Sequence, residues 1–114
     1  MLPADSRMRA ASDLQSVMRR GHKSGRVTVV VYLARTAEPT RVIGFAVSKA
    51  VGGAVVRNRV RRRLRAIIAA ELPSLPAGAR VVVRALPAAA AAPFSALSSD
   101  VRSALATACA RAEA

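Results

Sequence analysis

Six arginines fall within nine residues in Arg57-Asn58-Arg59-Val60-Arg61-Arg62-Arg63-Leu64-Arg65, and no acidic residue lies between Glu38 and Glu71 to offset them. Guanidinium groups are planar and permanently charged, and they donate paired hydrogen bonds that match phosphate oxygens. The chemistry on offer is recognition of a polyanion, with nothing in the string that could break a bond. Elsewhere the reactive side chains are few. His22 is the only histidine, between Gly21 and Lys23 in what reads as a loop, and Cys109 is the only cysteine. Neither an intrachain disulfide nor a His/Cys metal cluster can form. Asp13, Glu71 and Asp100 are too scattered to suggest a two-metal nuclease centre, so no catalytic residue and no protein-held metal is assigned. Cys109 reads as a small buried hydrophobe.

The whole chain carries the same sign. Its 114 residues hold 19 Lys plus Arg against 6 Asp plus Glu, a net charge of +13, and all the cations but Lys23 and Lys49 are arginines. Such an excess calls for a polyanionic partner. The arginine bias itself fits bidentate phosphate recognition, and equally a GC-rich coding sequence. No run of about 18 uncharged apolar residues occurs, and no apolar stretch follows the first basic residues, so a soluble cytoplasmic protein without a membrane partner is expected. The length suits one domain, 1–114, built on a thin core of alanine and valine.

The elements that must position the arginines follow from periodicity. Residues 1–11 read as an extended basic arm. Ser12-Asp13-Leu14-Gln15 fits a capping box, Leu14, Val17 and Met18 form one apolar stripe, and Gly21 is a plausible left-handed stop. Val27-Thr28-Val29-Val30-Val31-Tyr32-Leu33 is β-branched almost throughout, as in a strand covered on both faces. Arg41 to Ser48 reads as a second strand, antiparallel to the first, with Gly44 as a possible bulge. A long helix is predicted from Ala54 to Leu72, a strand from Arg80 to Leu86, and a last amphipathic helix from Phe94 to Ala112. No internal repeat is present. The pattern describes a two-layer α+β sandwich with helices against one sheet.

On the long helix, Val56, Val60, Leu64, Ile67 and Ile68 gather on one face. Asn58, Arg61, Arg62 and Arg65 project from the far side, Arg59 and Arg63 flank the apolar stripe, and Arg57 falls close to the buried side at the first turn. Cations at a helix N-terminus oppose the macrodipole by a few tenths to about 1 kcal/mol each. Like charges three and four residues apart add repulsion. A phosphate backbone would relieve both penalties and gain entropy from released counterions.

Val42-Ile43-Gly44-Phe45-Ala46-Val47-Ser48-Lys49, followed by Gly52-Gly53-Ala54-Val55-Val56-Arg57-Asn58-Arg59-Val60-Arg61-Arg62, resembles the protein subunit of bacterial ribonuclease P. A glycine-containing strand ending in Ser-Lys, a glycine-containing loop and an Arg-Asn-Arg motif opening a basic helix make up that family's pattern. The resemblance runs from about Arg9 through Arg84-Ala85-Leu86-Pro87. It implies an αβββαβα fold of the ribosomal S5 domain 2 type, with a left-handed βαβ crossover through the basic helix. It also implies that a large RNA with bound magnesium ions (Mg2+) is the catalyst. The protein would bind that ribonuclease P RNA through Arg57, Asn58, Arg59, Arg61, Arg62 and Arg65, in a 1:1 complex. The single-stranded 5′ leader of precursor tRNA would lie in a cleft between the first helix and the sheet, lined by Leu14, Met18, Tyr32, Val47, Lys49 and Arg57. The chain departs from the pattern at Leu14 and Met18, where phenylalanines are common, and at Ala50, where a second basic residue often follows Lys49.

Two other classes share parts of this profile. A structural RNA-binding protein of ribosomal type would have the charge and the sandwich without any part in cleavage. A DNA-compacting protein would bind duplex DNA as well as structured RNA, and leaves the Ser48-Lys49 to Arg62 string without a reason.

Overall fold

The computed structural model describes residues 6–8 and 10–113. Helix α1 (Ala11–Arg20) is followed by strands β1 (His22–Gly25), β2 (Val29–Arg35) and β3 (Val42–Ala46). Helix α2 (Ala54–Glu71), strand β4 (Ala79–Ala85) and helix α3 (Phe94–Glu113) complete the αβββαβα order. Short 3-10 turns at Leu72–Ser74 and Pro87–Ala90 join α2 to β4 and β4 to α3.

The sheet runs β1-β2-β4-β3, with β4 antiparallel to β2 and parallel to β3. The Arg41–Ser48 strand therefore does not pair antiparallel with its predecessor, because β4 is inserted between them. The reason lies in the side chains of β4. Val81, Val82 and Val83 are all fully buried, and a strand apolar on both faces belongs in the middle of a sheet. β3 goes to the edge, and α2 forms the crossover between the two parallel strands.

Both faces of β2 and β4 are covered. On one face Val29, Val31, Leu33, Ile43, Val81 and Val83 meet Val60, Leu64, Ile67 and Ile68 of α2 and Leu97, Val101 and Leu105 of α3. Full burial of each such side chain contributes about 1.5–3 kcal/mol. On the opposite face Val30, Tyr32 and Val82 pack under Val17 of α1, with Leu14 and Met18 beside them.

Four local expectations are corrected. α1 begins at Ala11, with Ala10 as N-cap and no side-chain cap bond, so Ser12 lies inside the helix and the capping box does not form. Gly21 is extended (φ −75°, ψ 161°). Its glycine is needed for close approach instead, since a Cβ there would stand 2.6 Å from the Val17 carbonyl oxygen. Gly44 is no bulge, as it pairs in register with Val82, and its bare Cα makes room for Leu14 and Met8 above it. His22–Gly25, read as a loop, is an edge strand paired with β2. The proposed basic arm lies partly outside the described residues. Within them, Arg7 bridges Ile43 and the Met8 amide donates to the Ile43 carbonyl at 2.8 Å, along the outer edge of β3.

Two polar ties hold the β1–β2 turn to α3. The Thr28 amide and hydroxyl both donate to Asp100 Oδ2, at 3.1 and 2.7 Å. Arg26 donates to the Ser103 hydroxyl at 3.1 and 3.0 Å and to the Thr107 hydroxyl at 3.0 Å.

Candidate nucleic-acid interface

The basic helix is anchored by its apolar stripe, so its other sides are presented in fixed directions. Val60, Leu64, Ile67 and Ile68 are buried in the main core. Gly53 caps the start without a side-chain bond, and the first turn holds no acidic residue. Side chains four apart stack into rows along a helix, and three rows cover the rest of α2.

The first row, Arg57-Arg61-Arg65, runs along the β3 side. Arg61 donates to the Val47 carbonyl at 3.4 Å and to Asn58 Oδ1 at 3.1 Å. Arg57, one turn earlier, is half-buried, and its Nε is enclosed without an acceptor among the described residues. Arg61 and Arg65 share a concavity of about 150 Å3 with Arg7 and Met8, which carries the basic surface across the sheet edge.

The crest of the helix is Asn58-Arg62-Ala66. Asn58, Arg62 and Arg65 are exposed, and with Arg61 and Ala66 they line a concavity of about 720 Å3. Among the described residues Arg62 and Arg65 have no hydrogen bond or ion pair within the chain, so their guanidinium donors face solvent. The third row, Val55-Arg59-Arg63, faces the segment between β4 and α3. Arg59 donates to the Ala90 carbonyl at 2.9 Å and Arg63 to the Ala92 carbonyl at 3.3 Å. Arg59 thus serves the fold as well as the surface, a division the sequence did not reveal.

The expected cleft residues are brought together only in part. Leu14 and Met18 are half-buried beside Tyr32, which is only 5% exposed beneath α1. The tyrosine ring is a member of the small core on that face. Val47 is corrected to the opposite side: it belongs to the main core, because Ile43, Phe45 and Val47 alternate toward α2. Ala46, its neighbour, packs against the α1-side cluster instead. Lys49 is exposed in the loop that follows β3.

The register shows one cation that the sequence reading left out. Arg84 lies opposite Ala46 and Val30, on the face carrying Tyr32 and Val82, and it is exposed on a central strand. Alternation along Val81-Val82-Val83-Arg84 was the available signal. Met18, Ala46 and Leu86 on that face are only partly buried, so Arg84 stands on a half-open floor beside α1.

No thiol chemistry is poised here. Burial, then the Glu113 carboxylate, pushes the Cys109 thiol up, while Arg35 pulls it down, and the net direction is upward. The thiol is protonated at neutral pH. Among the described residues no helix is long and apolar enough to cross a membrane.

Comparison with known proteins agrees with this geometry. The family model described as Ribonuclease P matches residues 2–109. The ribonuclease P protein component of Acidothermus cellulolyticus is 53% identical over 102 residues, covering 88% of this chain and 85% of that protein. That of Kocuria rhizophila is 50% identical over 109 residues, covering 95% and 96%. Among solved structures, a mutant of the Staphylococcus aureus RNase P protein with defective mRNA degradation activity aligns with a TM-score of 0.83 at 25% identity, over 90% of this chain and 87% of that one. The Thermotoga maritima RNase P protein shares the fold, with a TM-score of 0.75 at 20% identity over 85% and 92%. An Arg-Asn-Arg helix docked by its apolar stripe on a β1-β2-β4-β3 sheet, matched across nearly its whole length, places the chain in the ribonuclease P protein family, as a protein component of bacterial type.

Proposed function

We propose that this subunit grips the ribonuclease P RNA with α2 and guides the 5′ leader of precursor tRNA along the α1 face of the sheet. Asn58, Arg61, Arg62 and Arg65 contact the RNA backbone, and Arg57 turns toward the leader. Lys49 and Arg84 supply cations at the leader floor, and Leu14 and Met18 form its apolar wall. One observation carries this reading: the cations of the α2 crest are exposed and unpaired on a helix whose opposite side is locked into the core.

The division of labour follows from the side chains. Arginines and one asparagine can position two RNAs and neutralise their mutual repulsion, but they offer no nucleophile and no general base near neutral pH. In this proposal the hydrolytic chemistry belongs to the RNA with its own magnesium ions. The protein acts as a single RNA-binding domain in a 1:1 complex, in the cytoplasm.

Reconstitution tests the reading. Purified protein, ribonuclease P RNA and precursor tRNA are combined at low magnesium, where the two RNAs repel most. The protein should raise the rate of cleavage at the 5′ end of the mature tRNA well above that of the RNA alone. An unchanged rate, with the protein bound to the RNA, would refute a role in cleavage.

A further inference from the structure

Three large apolar side chains are exposed among the described residues, and two of them border α2: Val55 is 81% and Phe94 47% exposed, while Val27 lies apart in the β1–β2 turn. Val55, Arg59 and Arg63 succeed one another over about 12 Å of helix. The bonds from Arg59 to Ala90 and from Arg63 to Ala92 hold the Ala-rich connector alongside this row. Phe94 follows Ala92 by two residues, a reach of about 7 Å at most. The result is a strip of one apolar side chain, two cations and an aromatic ring.

The ring is placed where packing cannot cover it. Phe94 continues the stripe of Leu97 and Val101, both fully buried, but at the first turn of α3 that stripe runs past the end of the core. It is also the most exposed aromatic of this chain: Tyr32 is buried, and Phe45 is half-buried against the main core. Arg59 and Arg63, both half-buried, each spend one terminal nitrogen on a carbonyl and keep the other without an acceptor among the described residues. The nearest carboxylate along α3, Asp100, is engaged by Thr28. An exposed ring that closely follows a connector held by two guanidinium groups offers the two halves of a site for an unpaired nucleotide, base and phosphate.

We infer that Phe94 is a stacking platform for an unpaired base of the RNA subunit, with Arg59 and Arg63 fixing the connector that carries the ring and meeting the adjoining phosphates. The partner is the RNA subunit because α2 and α3 lie on the sheet face opposite α1 and the leader floor. The inference rests on α2 being the docking surface for that RNA.

The chain contains no tryptophan, so Phe94→Trp introduces a single reporter. Its fluorescence should be quenched as ribonuclease P RNA is titrated into the protein, and should not change with a leader oligonucleotide alone. Phe94→Ala should lose about 5- to 100-fold in affinity for the RNA, the range a single stacked base accounts for. Phe94→Leu, which keeps an apolar side chain without an aromatic face, should lose nearly as much while unfolding at the same urea concentration as the parent. Wild-type affinity in Phe94→Leu, or fluorescence unmoved at RNA saturation, would overturn the inference, and quenching by the leader alone would overturn the choice of partner. Arg62→Ala/Arg65→Ala, measured in parallel, separates the two levels. If it weakens RNA binding while the Phe94 variants do not, the platform falls and the α2 interface stands; if neither weakens binding, both fall.

Discussion

Arginine serves two opposite purposes within a few residues of α2, and the difference is whether a carbonyl is in reach. Arg59, Arg61 and Arg63 donate to Ala90, Val47 and Ala92 and so hold the ends of other elements against the helix. Arg62 and Arg65 have no such acceptor. Arg57 lies between these cases, half-buried with an enclosed and unsatisfied Nε. Replacing it by alanine should weaken leader-dependent binding of precursor tRNA by about 10-fold or more, the worth of one charge-assisted hydrogen bond, and affect binding to the RNA subunit less. Equal losses with leader-bearing and leaderless substrates would remove Arg57 from the leader floor. The sides of the helix were legible from its 3.6-residue period, which put Arg57 near the sheet. The acceptors were not, because Ala90 and Ala92 lie some thirty residues on and their carbonyls carry no side-chain signal. Tyr32 shows the complementary blind spot: a strand tyrosine reads the same whether its ring is open or, as here, roofed by Val17.

At the level of elements, the strongly periodic segments were found nearly to the residue. α2 was expected over Ala54–Leu72 and runs from Ala54 to Glu71; α3 was expected over Phe94–Ala112 and runs from Phe94 to Glu113. β1 was missed because His-Lys-Ser-Gly has neither alternation nor β-branched residues. Its pairing comes from the backbone of β2, and its position is secured by Arg26 and by the Arg111 bond to the Lys23 carbonyl. The pairing order of β3 was missed for a related reason. Short connections favour neighbours in sequence, and only full burial of the Val81–Val83 run outweighs that preference. The Asp100 tie makes the dependence of β1 and β2 on α3 measurable. Asp100→Ala leaves the Thr28 amide and hydroxyl without their acceptor in a residue that is 4% exposed. It should lower stability by about 2–3 kcal/mol, read as a lower urea midpoint at an unchanged slope. A midpoint within error of the parent would show that water replaces the carboxylate.

The charge of +13 is a property of the whole molecule, and the fold sorts it. Part is spent on internal carbonyls and on the Arg80–Glu38 pair, and α2 carries the densest run of what remains. Only cations that meet phosphates contribute to the salt dependence of binding, each adding about 0.7–0.9 to the slope of log K against log salt. Arg62→Ala/Arg65→Ala should therefore reduce the slope for the RNA subunit by about 1.4–1.8. Arg26→Ala, which removes an equal kind of charge from an internal tie, should leave the slope unchanged while lowering stability. A similar reduction for both would mean that the protein is held by its overall field rather than by placed contacts.

The insertion of β4 between β2 and β3 also sets an order of events during synthesis. β2 emerges early but finds its long partner only in β4, as in the pairing of Tyr32 with Val82, and β3 has only the single bridge to Arg7 until the same segment arrives. Contacts so distant in sequence form slowly. A nascent chain that ends before residue 79 carries every arginine of α2 with only the β1–β2 pair formed and no completed sheet to orient them, a loose polycation rather than a binding surface. Selectivity for one RNA over any other is thus acquired late, when the last strand slides into the gap its neighbours have left for it.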